Sequence, residues 1–325
     1  MDRLHKNLGK FAVVECLKCG LRYTNPRPTR KAIAAFYPED YGPYRGEVPS
    51  VIELFSTGST LLQQYKNALK YSILTRYYAY QIQTNPSEEL ALRQLPEMIQ
   101  RLVERLAWRL FKKRNPRMPV FCGNGRALDI GCGNGLYLAI LKNLGWDVTG
   151  FDMEDHVAPI LKKTSIPIFT GNLEVLSTLR GTFDLITMWH VLEHLHDPLE
   201  DLRTIRKLLS DRGSILIEVP NSDSPAAKLF RSDWYQWDLP RHLSHFTPQS
   251  LIQLLKESGF RIKDLIHLRH STLPLSLKYW IEKRKSLSCL ALLTHHMRYC
   301  QVLRFFDPIY LFGRSGENIL VAAEK

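Results

Sequence analysis

The sequence predicts an α/β fold built on a parallel sheet, and three observations carry that expectation. From Arg126 onward, short apolar runs alternate with amphipathic stretches. The first run, Ala127–Ile130, ends in alternate glycines before a helical pattern begins. The chain has 325 residues, 45% hydrophobic and 23% charged, which is enough to bury a sizeable core.

The elements follow in order. Residues 1–50 are rich in turn signals, among them Asn25-Pro26-Arg27-Pro28 and Tyr41-Gly42-Pro43-Tyr44. Residues 51–120 form a helical region broken at Asn85-Pro86, and residues 121–325 form the α/β domain, with a helical insertion near 271–313. Strands are expected at Ala127–Ile130, Asp147–Phe151, Pro167–Phe169, Phe183–Met188, Ser214–Val219, Arg261–Leu268 and Asn318–Ala323, the last two antiparallel. Helices are expected at Leu136–Leu144, His156–Lys163, Leu173–Leu179, Leu199–Leu209 and Pro248–Glu257.

Charge is concentrated in two stretches. The net charge is +12, from 44 Lys and Arg against 32 Asp and Glu. Arg101–Arg117 and Lys278–Arg304 supply nearly all of it, so the remainder is close to neutral and no nucleic-acid partner is expected. In the first stretch Met98/Ile99, Leu102/Val103, Leu106/Ala107 and Leu110/Phe111 recur every four residues. Pro96 and Glu97 suit the start of a helix, Lys112-Lys113-Arg114 its negative end, and Asn115-Pro116 stop it. In the second, Leu290, Leu293, Met297, Cys300 and Leu303 repeat at three or four residues. Two readings stand. Both helices bury their apolar stripes against each other and the core and leave a solvated basic face, or that face meets an anionic acceptor or an anionic membrane.

Six cysteines are too few for a disulfide scaffold, so a reducing, cytoplasmic compartment is expected, with peripheral membrane contact left open. The N-terminus carries no apolar signal segment, and no apolar run approaches the roughly 18–20 residues that span a bilayer. Cys16-Leu17-Lys18-Cys19-Gly20 is a single C-x-x-C-G knuckle. A four-ligand zinc site needs two such pairs, and the only upstream candidate ligand is His5. The segment therefore reads as a degenerate ribbon or a shortened N-terminus, and no metal is assigned.

The most informative segment is Ala127-Leu128-Asp129-Ile130-Gly131-Cys132-Gly133-Asn134-Gly135. Here an apolar strand ends in an acid, and glycines let the backbone turn sharply beside a ligand. The next acid at a strand end is Asp152, in Gly150-Phe151-Asp152, which in a nucleotide site would accept bonds from ribose hydroxyls. The D-x-G-x-G-x-G spacing resembles motif I of the class I S-adenosylmethionine-dependent methyltransferases. The resemblance continues through Gly171-Asn172-Leu173, Phe183–Pro198 and Gly213–Asn221, and one branch of the family shares Arg241–Pro248, Ser258-Gly259-Phe260 and the N-terminal segment. It implies a Rossmann-like seven-stranded sheet with helices on both faces, plus a small N-terminal segment and helical additions. It also implies S-adenosylmethionine as cofactor, held by Asp129, Gly131, Gly133, Gly135, Asp152, Asn172 and Met188. Asn172 stands where the family often has an acid.

Methyl transfer from a sulfonium to oxygen needs alignment, exclusion of water and a base. Histidine is the usual base near neutral pH, and His190, His194 and His242 are the candidate catalytic residues. If the chain turns helical at His190, then His190, Glu193 and His194 share one face at a spacing that can hold a divalent ion. The preferred reading gives Glu193 an orienting role instead. Trp234-Tyr235-Gln236-Trp237-Asp238 suits a substrate wall or lid. The acceptor class implied is a small molecule, a sugar or a lipid-linked glycan, methylated first at oxygen, second at carbon. The rival is a non-catalytic cofactor-binding scaffold.

Overall fold

A computed structural model describes residues 9–37, 60–82, 96–153, 165–179, 181–268, 272–283 and 316–325. The strands are β1 (Ala12–Glu15), β2 (Arg22–Asn25), β3 (Arg126–Ile130), β4 (Asp147–Asp152), β5 (Ile168–Thr170), β6 (Phe183–Trp189), β7 (Leu209–Pro220), β8 (Ser244–His245), β9 (Arg261–Leu268) and β10 (Asn318–Glu324). The helices are α1 (Arg30–Ile33), α2 (Leu61–Arg76), α3 (Glu97–Arg114), α4 (Leu136–Asn143), α5 (Pro198–Leu208), α6 (Pro225–Phe230), α7 (Pro248–Glu257) and α8 (Leu273–Glu282). Seven strands form a mixed, Rossmann-like sheet in the order β5-β4-β3-β6-β7-β10-β9, and β1-β2-β8 form a second, smaller sheet. β3, β4 and β5 pair in parallel, while β10 and β9 pair antiparallel as expected.

The chain divides into two compact units. One comprises Gly42–Thr187 and Leu208–Ser214; the other comprises Met1–Tyr41, Met188–Lys207 and Ile215–Lys325. In the first unit, Leu128 and Ile130 on β3, Val148 and Phe151 on β4, and Leu138 and Leu141 on α4 are buried. β7 starts at Leu209 rather than at the expected Ser214. Its early residues are tied down: the Ser210 hydroxyl donates to Asp184 Oδ1 at 2.9 Å, and Leu209 is fully buried. A side chain at Gly213 would meet the Phe183 carbonyl oxygen at 2.8 Å, so glycine permits close strand approach there. Leu173–Thr178 is a 3-10 turn capped by Asn172 rather than an α-helix.

In the second unit, the N-terminal hairpin β1-β2 closes over the Cys16–Gly20 knuckle, and β2 pairs antiparallel with β8. Helix α7 begins as its sequence dictates, with Pro248 in the first turn and a reciprocal Thr247–Ser250 cap. The expected helix at His156–Lys163 and the second basic stretch beyond Lys283 lie outside the described residues. No helix among the described residues is long and apolar enough to cross a membrane.

Candidate active site

The glycine loop follows β3 and enters α4. Gly131, Gly133 and Gly135 all have positive φ, at 72°, 51° and 73°, so this alternation requires glycine. The Gly131 N–H donates to the Phe151 carbonyl at 2.7 Å, which ties the loop to β4. Asp152 ends β4, and its Oδ2 accepts from the Gly133 N–H at 3.0 Å. Asp129 is fully buried on β3 and accepts from the Thr187 hydroxyl at 2.6 Å. Burial pushes its carboxyl up to about 7, against the opposing Thr187 bond. Thr187 went unnoticed in the sequence; a hydroxyl within a buried strand is the only local signal.

This unit therefore gathers Asp129, the three glycines and Asp152. Two carboxylates flanking a glycine turn fit a ligand carrying ribose hydroxyls and a cationic amino-acid end. The other two expected contacts differ. The Asn172 amide is engaged locally, its oxygen accepting from the Glu174 N–H at 3.1 Å and its nitrogen donating to Glu174 Oε2 at 3.2 Å. The Met188 side chain is fully buried in β6 and offers no surface to a ligand.

The second unit holds the histidines. His190 does not start a helix: its φ is +57°, and only Leu192–His194 form a single 3-10 turn. The His190 ring lies between two buried carboxylates, with Nδ1 3.2 Å from Glu193 Oε1 and Nε2 3.3 Å from Glu218 Oε1. Burial opposes its charge, but the bonds to Glu193 and Glu218 raise it to about 9. His194 Nδ1 faces the Arg241 carbonyl at 3.1 Å and the Tyr37 hydroxyl at 2.7 Å. Burial and then the neighbouring His242 lower it to about 4. His242 Nδ1 donates to the Gln236 carbonyl at 2.9 Å, which fixes the proton on that nitrogen. Its Nε2 is directed between Glu193 Oε1 at 3.9 Å and Asp238 Oδ2 at 3.8 Å.

Glu193, His194 and His242 each bring one ligand atom within 4.8 Å of the others. The group that comes together thus contains His242 in place of the expected His190. Cys16 and Cys19 are free thiols, and among the described residues no third ligating group joins them. The Cys19 and Lys18 backbone N–H groups hold the Cys16 thiol below its usual value.

The supports of this cluster come from remote segments. Arg241, fully buried, pairs with Asp238 through Nε and Nη2 and donates from Nη1 to the Phe36 carbonyl at 3.0 Å. Thr24 donates to the His242 carbonyl at 2.6 Å and contacts His245 Nε2 at 3.0 Å. His196 is structural: its Nε2 donates to the Pro28 carbonyl at 3.0 Å. Beside the cluster lies a cleft of about 660 Å³ whose lining includes Phe11, Trp234, Tyr235, Trp237, Asp238 and Tyr279. Trp234, Tyr235 and Trp237 of the expected aromatic wall line this cavity, as does Asp238, whose Oδ2 lies 3.8 Å from His242 Nε2; none of the three candidate histidines is in the lining.

Residues 91–265 match the family described as a methyltransferase domain. The ubiquinone biosynthesis O-methyltransferase of Psychrobacter arcticus is 28% identical over 175 residues, covering 48% of this chain and 66% of that protein. The enzyme of the same name from Coxiella burnetii is 26% identical over 180 residues, covering 52% of this chain and 76% of that protein. A solved SAM-dependent methyltransferase from Archaeoglobus fulgidus is similar at 20% identity and a TM-score of 0.45, over 67% of this chain and 94% of that one. The match thus spans slightly less than two thirds of the Psychrobacter relative. With the family match covering more than half of its length, this chain belongs to the methyltransferase domain family.

Proposed function

We propose that the protein transfers a methyl group from S-adenosylmethionine to a hydroxyl oxygen of a small-molecule, sugar or lipid-linked acceptor. The observation that carries this reading is the fixed orientation of His242. Its Nδ1–H is committed to the Gln236 carbonyl, so Nε2 is the nitrogen left to exchange a proton, beside two carboxylates. His190 is held protonated near neutral pH, and His194 is held neutral with a weakly basic ring. Of the three candidate histidines, His242 is the one assigned as base.

When bound, the cofactor supplies an activated methyl on a sulfonium leaving group. The chain's residues do the rest. The glycine loop and Asp152 would hold the ribose end, and Asp129 would serve the cationic amino-acid end. The aromatic cleft seats the acceptor and excludes water. His242 Nε2 takes the hydroxyl proton as the oxygen attacks, and Glu193 and Asp238 stabilise the imidazolium that forms. We extend the partner reading to an acceptor carried on an anionic membrane.

A screen of hydroxylated acceptors with labelled cofactor tests this. Time-dependent S-adenosylhomocysteine formation that requires acceptor, and labelled methyl on oxygen, are expected. Label on carbon transfers the reading to C-methylation. Cofactor binding with no turnover across the panel favours the scaffold alternative.

A further inference from the structure

Helix α3 departs from its expected orientation. Three of the four apolar pairs in its sequence split, while Met98 and Ile99 both stay exposed. Val103, Ala107 and Phe111 turn inward with Glu104 and Trp108, whereas Met98, Leu102, Leu106 and Leu110 are 80%, 59%, 51% and 60% exposed. The inward face is already occupied. Glu104 is buried and accepts from the Ser72 hydroxyl at 2.7 Å and Arg76 at 3.1 Å. Trp108 stacks on Tyr77 at 4.9 Å, and Phe111 meets Tyr78 edge-on at 5.7 Å.

The exposed face carries two parallel rows. The apolar residues recur every four positions, and Arg101, Arg105, Arg109 and Lys113 form a second row, each three residues after an apolar one. Lys112 and Arg114 extend the positive charge, and Glu97, the one acid on this face, is paired with Arg101. Single exposed leucines are ordinary, but a repeating row of four is a contiguous patch. Nucleic acid would satisfy the arginines and leave the leucines in water. An anionic bilayer offers both layers at adjacent depths, acyl chains for the apolar row and headgroup phosphates for long side chains that reach outward.

We propose that α3 lies on an anionic lipid surface, with Met98, Leu102, Leu106 and Leu110 inserted and the Arg/Lys row at headgroup level. This extends the partner reading above and names its element. Its test needs no turnover, so the two can fail separately.

The full chain is sedimented with phosphatidylcholine vesicles with and without phosphatidylglycerol. Binding at least about tenfold tighter to the anionic vesicles, weakened by high salt, is expected. The double variant Leu102→Ser, Leu106→Ser removes exposed side chains only; it should keep its helical spectrum and lose about tenfold or more in affinity. Arg105→Gln with Arg109→Gln should weaken anionic binding similarly. Parent-like binding by the leucine variant would mean charge attraction without insertion and overturn the proposal. Equal binding to both vesicle types, or none to either, would also overturn it.

Discussion

His190 illustrates how one residue's role depends on what surrounds it. An imidazole titrates near 6.5 when free, and the Glu193 and Glu218 bonds raise it to about 9 here. The folded state therefore holds this proton more tightly than the unfolded state. The resulting stability is fully present below about pH 6.5 and is lost as pH rises through about 9. His190→Asn should flatten the fall in thermal midpoint across that window, which melting curves at several pH values will check. His242→Asn should lower turnover by about 10²–10⁴-fold while leaving cofactor affinity unchanged, because only proton transfer is removed. Stopped assays alongside calorimetry separate the two effects. The glycine loop was legible in the sequence because its backbone demands are local to Gly131, Gly133 and Gly135. The division of labour among the histidines was not, because it rests on Gln236, Glu218 and Tyr37, each supplied by another segment.

Helices and strands show the same contrast between local and distant causes. The ends of α3 follow from Glu97, the closing basic run and Asn115, and these were readable. Which half of the last three apolar pairs docks is set by Tyr77, Tyr78 and Ser72 on the α2 side, and was not. Glu104 is the polar anchor of that pair, with Ser72, Arg76 and Gln100 all donating to its carboxylate. Glu104→Ala should cost about 1–3 kcal/mol, since buried charge-assisted bonds are lost. Arg76→Ala should cost under about 1 kcal/mol, because its side chain is 58% exposed. Urea denaturation of both variants gives the comparison. The N-terminal hairpin has an analogous bracing role, since Thr24 on β2 bonds the His242 carbonyl and reaches His245. Thr24→Val should lower turnover with little change in cofactor affinity, whereas equal loss of both would indicate general unfolding.

At the scale of the whole molecule, the alternation of runs from Arg126 announced an α/β sheet, and its strands stand close to where the periodicity put them. The strand order was not readable. β10 lies between β7 and β9, and that pairing joins residues far apart in the chain. The N-terminal segment looked like an appendage, yet Arg22, Thr24, Phe36 and Tyr37 bond residues between 194 and 245. On the function proposed above, S-adenosylmethionine binds this chain through the β3–α4 loop and the end of β4. Calorimetric titration with S-adenosylhomocysteine tests it most directly. One site per chain is expected, with at least about a tenfold loss of affinity in Asp152→Ala, because charge-assisted bonds to ribose and the bond from the Gly133 N–H go together. No heat of binding to the parent chain, or an unchanged affinity in a folded Asp152→Ala variant, would contradict it.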